Sequence, residues 1–138
     1  MPLFAKKRGA GVSSFMLKVI NNHCSTLEEL VEGPRSESRI NLALAVLIIP
    51  VEGNKLLTDE AFTAITREFS TSGISVALDR PMGLDEVVLG LRWEGEMTFL
   101  RAEAKHLDPM GGGFYQLGLR LTEMVHPGDY PALETMFV

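Results

Sequence analysis

Phe62-Thr-Ala-Ile-Thr-Arg-Glu68-Phe69-Ser70-Thr-Ser-Gly73-Ile74-Ser-Val-Ala-Leu78 reads as two short strands joined by a tight turn. Phe62 to Ser70 is a strand rich in β-branched and aromatic residues. Thr71-Ser72-Gly73 carries turn residues. Ile74, Val76 and Leu78 then alternate with Ser75, Ala77 and Asp79, the period of a half-buried strand. Side chains of a strand alternate between faces, so Glu68 and Ser70 share one face and Phe69 points the other way, into a core. Gly73 supplies either a positive φ in the turn or a bare backbone that a ligand can approach.

The same pattern continues on both sides. Upstream, Ile40 to Ile49 is long and apolar enough for a buried strand, and Pro50 to Asp59, with Gly53-Asn54, reads as an excursion before the next strand. Downstream, Val87, Leu89, Leu91 and Trp93 alternate in a fourth strand. Met97 to Leu107 forms a fifth, Pro109 to Gly113 a flexible turn, and Tyr115, Leu117, Leu119 and Leu121 a sixth. Six short strands in hairpin order predict a mostly β chain folded as a small antiparallel barrel, a closure that removes exposed edges. Residues 1–13 are basic and Gly-containing and read as a mobile arm. Ser25 or Thr26 caps a short helix through Leu27-Glu28-Glu29-Leu30, which Gly33-Pro34 ends. Tyr130 to Phe137 reads as a short terminal helix with Asp129 as its cap and Pro131 in its first turn. The organisation expected is an N-terminal arm and short helix over 1–32, a barrel over 33–125 and a helical tail over 126–138.

Composition narrows the function. The 138 residues make one domain, and a hydrophobic fraction of 46% supports a core without staples. The single cysteine, Cys24, excludes an intrachain disulfide and fits a reducing compartment. A net charge of −5 and a pI near 5.2 speak against a general DNA or RNA binder, so any anion must be held by a local basic patch. The longest apolar run, Leu42 to Pro50, is too short to span a bilayer. The expectation is a cytoplasmic protein without membrane insertion. No residue pattern marks a catalyst. Gly111-Gly112-Gly113 lacks the Lys-Ser/Thr of a phosphate loop, His23 and Cys24 lack the spacing of a zinc site, and Ser13 and Ser14 lack a nucleophile elbow. His106 and His126 read as solvated or capping, Trp93 as core or at the barrel mouth, and Glu94, Glu96 and Glu103 as a solvated acidic face.

Two polar stretches carry the functional reading. Arg35-Ser-Glu-Ser-Arg39 precedes the first strand and offers two guanidiniums, each a fixed fork of donors that matches a phosphate or the O6/N7 edge of guanine. Glu68-Phe-Ser70-Thr-Ser-Gly73 offers a carboxylate, a hydroxyl and a glycine at a strand junction. Each has an ordinary reading alone: arginines in a polar loop are commonly solvated or paired, here with Glu32 or Glu37, and Ser, Thr and Gly are common in hairpin turns.

Taken together, in this order and around these strands, the two motifs resemble the PilZ domain, and Tyr115-Gln-Leu-Gly118-Leu-Arg-Leu121 is similar to that family's closing strand. The resemblance covers about residues 33–124. It implies a six-stranded β-barrel that binds cyclic di-GMP, with Arg35 and Arg39 gripping guanine and phosphate, Ser70 and Gly73 in the second motif, and Glu68 at the position usually held by Asp or Asn. It implies no catalytic residue, no metal and no cofactor beyond the nucleotide ligand. The expected role is a bacterial receptor that relays the second-messenger signal to a downstream protein by rearranging its N-terminal arginine loop. Two alternatives stand beside it: a degenerate PilZ-like adaptor working by protein contacts alone, and a flavin-binding split-barrel enzyme.

Overall fold

A computed structural model describes residues 11–19, 40–93, 95–130 and 133. Among them are eight strands: β1 (Ile40–Asn41), β2 (Ala45–Glu52), β3 (Lys55–Leu56), β4 (Phe62–Phe69), β5 (Gly73–Leu78), β6 (Glu86–Trp93), β7 (Glu96–Gly111) and β8 (Phe114–Val125). The order β4-β5-β8-β7-β6-β2 closes on itself through a β2–β4 pairing, giving a six-stranded antiparallel barrel. The short β3 lies outside the ring as the return arm of a hairpin on β2.

The interior follows from strand alternation. Val46 and Ile48 of β2, Ala64 of β4, Val76 and Leu78 of β5, Val87, Leu89 and Leu91 of β6, Leu100 and Ala102 of β7, and Leu117, Leu119 and Leu121 of β8 meet in one buried cluster. Residues 11–19 form a helix, α1, whose Val12, Met16 and Val19 join that cluster. Their spacing is one face of a helix, so this part of the chain belongs to the core. That corrects the expectation of a mobile arm through residue 13. The helix expected at Leu27 to Leu30 lies outside the described residues.

A second buried cluster covers the outside of one wall. Ile49 of β2, Val88 of β6 and Phe99 of β7 face outward, under Leu56, Val125 and Leu133, with Tyr130 packed alongside. This explains why β6 reads apolar on both faces. The excursion after Pro50 is therefore a hairpin that turns at Gly53-Asn54 and returns Leu56 to this cluster. Of the predicted terminal helix, Leu133 is helical and donates its N–H to the Tyr130 carbonyl, and the rest lies outside the described residues, as does the side chain of Trp93. Arg101 of β7 ties Tyr130 to the barrel: its Nη1 donates to the Tyr130 hydroxyl at 3.1 Å, and its Nε meets Glu86 Oε2 at 2.9 Å. The Glu86 hydrogen bond raises the Arg101 pKa above its ordinary value, against partial desolvation.

The β7–β8 turn is tighter than predicted. β7 runs through Pro109 to Gly111, and the reversal occurs at Gly112-Gly113, where Gly111, Gly112 and Gly113 all have positive φ. A register shift between Pro109 and Gly111 accommodates the proline within the strand.

Candidate functional site on the β4-β5-β8-β7 wall

The opposite wall, formed by β4, β5, β8 and the second half of β7, carries a polar groove of about 180 Å³. Its residues come from a single row of cross-strand partners and the turn above it. Glu68 pairs with Ser75, Ser75 with Gly118, and Gly118 with His106. Asn41 of β1 pairs with Glu68 at the other end of the row. Ser70, Ser72 and Gly73 close the top of the groove, and Lys105 and Arg120 also line it.

Two β-bulges set this face. In β4, Phe62, Ala64 and Thr66 alternate toward the inside, but Thr66 pairs with Val76 and Glu68 with Ser75, leaving Arg67 as the extra residue. Inward parity then moves to Phe69, so Arg67 and Glu68 both face out. Thr66 holds the irregularity from within. Its Oγ1 accepts the Leu44 N–H at 2.8 Å and donates to the Leu42 carbonyl, bridging the break between β1 and β2. In β7 the shift between Ala104 and His106 leaves Lys105 as the extra residue, so Lys105 and His106 also face out. The groove thus has a bulge at each flank, and each adds an ionisable side chain to it.

Three of the expected site residues come together here. Glu68, Ser70 and Gly73 all line the groove. Arg35 and Arg39 lie outside the described residues. Ser70 shapes the turn: its Oγ accepts the N–H groups of Gly73 at 3.1 Å and Ser72 at 3.3 Å, and its own N–H donates to the Gly73 carbonyl at 2.9 Å. Gly73 does not adopt a positive φ. A Cβ there would stand 2.7 Å from the Leu119 carbonyl oxygen, so the glycine lets β5 lie close against β8.

The residues that sequence reading passed over are on the β7–β8 side. His106 is an exposed side chain, not a cap. Its Nδ1 lies 2.9 Å from Asp108 Oδ2, two residues on along the same strand face. Its ring lies over Gly118, where an added Cβ would be 2.2 Å from Nε2. The signal in the sequence was Gly118 itself, an isolated glycine within an apolar strand, which marks the close approach of another group. Ser75 is 6% exposed, and its buried Oγ has no hydrogen-bond partner among the described residues. No group of three or more His, Cys, Asp or Glu among the described residues is placed to hold a metal ion, and no helix among them is long and apolar enough to cross a membrane.

The closed barrel with its short helix and its strand outside the ring is a PilZ-like fold. Among solved structures, the chain is similar to that of the Bacillus subtilis inhibitor of motility (MotI/DgrA), with a TM-score of 0.51 and 18% sequence identity, over 75% of this chain and 49% of that one. The chain therefore spans about half the length of that protein, and the likeness is one of fold. No family model matches the chain, and no curated protein matches it.

Proposed function

We propose that this protein is a cytoplasmic bacterial receptor of the PilZ type, which binds cyclic di-GMP in the groove of the β4-β5-β8-β7 wall, catalyses nothing itself, and passes the signal to a protein partner. The observation that carries the proposal is the placement of Glu68, Ser70 and Gly73 on one open polar face while the opposite wall is covered by apolar packing. Ile40, the residue that follows Arg39 in the sequence, pairs with Phe69 of the groove. Glu68 is an acceptor for a guanine N1–H and N2–H₂ edge, and Arg35 and Arg39 supply forks for guanine O6/N7 or phosphate. Ordering the arginine loop costs on the order of 1–2 kcal/mol per fixed residue. Charge-assisted hydrogen bonds of roughly 1.5–3 kcal/mol each offset it. Arg35 and Arg39 rearrange onto the ligand, and that rearrangement is the signal passed to the partner. The fold likeness to an inhibitor of motility supports a regulatory role over a catalytic one.

A second reading, an adaptor without nucleotide, is favoured by the commitment of the Ser70 hydroxyl to its own turn and by the longer Glu68 side chain. Calorimetric titration of cyclic di-GMP separates the two. Wild type is expected to release or absorb heat with a defined stoichiometry, and Arg35→Ala and Arg39→Ala to lose it. No heat from wild type at tens of micromolar protein leaves the adaptor.

A further inference from the structure

We infer that Ser75, His106 and Arg120 form a phosphate-binding subsite of this groove, with His106 its central contact, so that the bound nucleotide lies with an anionic group at the His106 ring and its guanine edge toward Glu68. The inference rests on the receptor reading above. Three observations carry it.

First, Ser75 holds a hydroxyl where a hydroxyl has no structural use. It is 6% exposed in the wall of the groove, its Oγ is unpartnered among the described residues, and its cross-strand neighbour is the bare Gly118. A buried hydroxyl without a partner is a cost that Ala would avoid. A ligand acceptor arriving at this point satisfies it.

Second, the His106 ring occupies the space of the missing Gly118 side chain, next in the row to Ser75. Asp108 fixes the ring through Nδ1. With Asp108 engaging Nδ1, Nε2 is the ring nitrogen left to meet a ligand.

Third, charge is graded along the groove. Lys105, His106 and Arg120 stand on the β7–β8 side and Glu68 on the β4 side. The acids near the basic end are already engaged: Glu103 lies 3.5 Å from Lys105, and Asp108 holds His106. Arg120 has no ion-pair partner among the described residues. The groove thus offers donors at one end and an acceptor at the other, which orients a ligand having phosphate and guanine on different edges.

The test uses the full chain and two probes, cyclic di-GMP by calorimetry and guanosine monophosphate by amide NMR at millimolar concentration. Ser75→Ala, His106→Ala and Gly118→Ala are compared with wild type. His106→Ala is expected to weaken cyclic di-GMP about tenfold, the loss of one charge-assisted hydrogen bond. Ser75→Ala is expected to weaken it several-fold while leaving the melting temperature unchanged or raised. A purely structural serine would show the opposite. Gly118→Ala expels the ring and should reproduce the His106→Ala loss with every donor still present, and the double variant should be no weaker than either single one.

Wild-type affinity in all three variants overturns the subsite and leaves the receptor reading intact. If wild type ignores cyclic di-GMP, but guanosine monophosphate shifts the Ser75, His106 and Gly118 resonances, the receptor reading falls and the subsite stands. If neither probe acts, both fall.

Discussion

Removing the Thr66 hydroxyl tests how the groove is built. Thr66 is 1% exposed, and Val at this position keeps its shape while deleting the oxygen. Two hydrogen bonds disappear, one from the Leu44 N–H and one to the Leu42 carbonyl, both in part-buried surroundings. A backbone donor left unpaired away from water costs about 1–3 kcal/mol, and a lost acceptor contact about 1 more, so Thr66→Val should destabilise the fold by roughly 2–4 kcal/mol. An unfolding entropy near 2.1 cal/mol/K per residue, over 138 residues, converts this to a fall in Tm of about 7–14 °C. Thr66→Ser retains the oxygen and loses only a methyl, so it should recover more than half of the difference. Urea unfolding followed by circular dichroism measures both variants, with the m-value as a check that the unfolded reference has not changed. Because the bulge puts Glu68 on the outer face, Thr66→Val should also weaken cyclic di-GMP binding at temperatures where it is folded. A Val variant within 0.5 kcal/mol of wild type, or a Ser variant as unstable as the Val one, would refute the assignment of the bulge to this hydroxyl.

Gly73→Ala places a methyl 2.7 Å from the Leu119 carbonyl oxygen, a backbone atom that cannot swing away, and should cost on the order of 1–3 kcal/mol in denaturant unfolding. Arg101→Met keeps most of the stem but removes the contacts to Glu86 and Tyr130. It should lower stability by about 1 kcal/mol, discounted because Glu86 is partly exposed, and should free the Tyr130 segment for faster hydrogen exchange. Since the Glu86 hydrogen bond raises the Arg101 pKa, the guanidinium's contribution is complete below its unfolded pKa and lost only above the folded one. Stability measured up to about pH 10 should therefore show no loss from this group. Glu68→Asp, which supplies the shorter acid common in PilZ domains, should tighten cyclic di-GMP binding or leave it unchanged in calorimetry; a large loss would show that the longer carboxylate has its own fitted geometry.

Much of the barrel could be read directly from the chain. Alternation of apolar residues in β5 and β8 reports which side chains face inward, because one buried face imposes a period of two. The pairing of Phe69 with the core and of Glu68 and Ser70 with the outside was legible for the same reason. The α1 helix was less so: its stripe is only Val12, Met16 and Val19 with Phe15 beside it, and a short amphipathic segment gains its stability from the barrel it packs on. The outward apolar residues of β2, β6 and β7 have no explanation within their own strands, since what covers them arrives from the β3 hairpin and from Leu133.

For the site, local sequence determined residue types and one shared face: a carboxylate, a turn-forming serine and a small glycine at the β4–β5 junction. The tertiary structure decided everything that depends on register between distant strands. A bulge at Arg67 shifts the parity of β4 after Thr66, and one at Lys105 does the same for β7, yet each is the insertion of a single residue that leaves no mark in composition or spacing. Pairing then aligns Glu68, Ser75, Gly118 and His106 across four strands, bringing residues far apart in the chain into one groove. Such juxtapositions come from hydrogen-bonded ladders and close packing over the whole ring, which is why the sequence shows no partner for the exposed His106 while the fold sets its ring over Gly118, the cross-strand neighbour of Ser75.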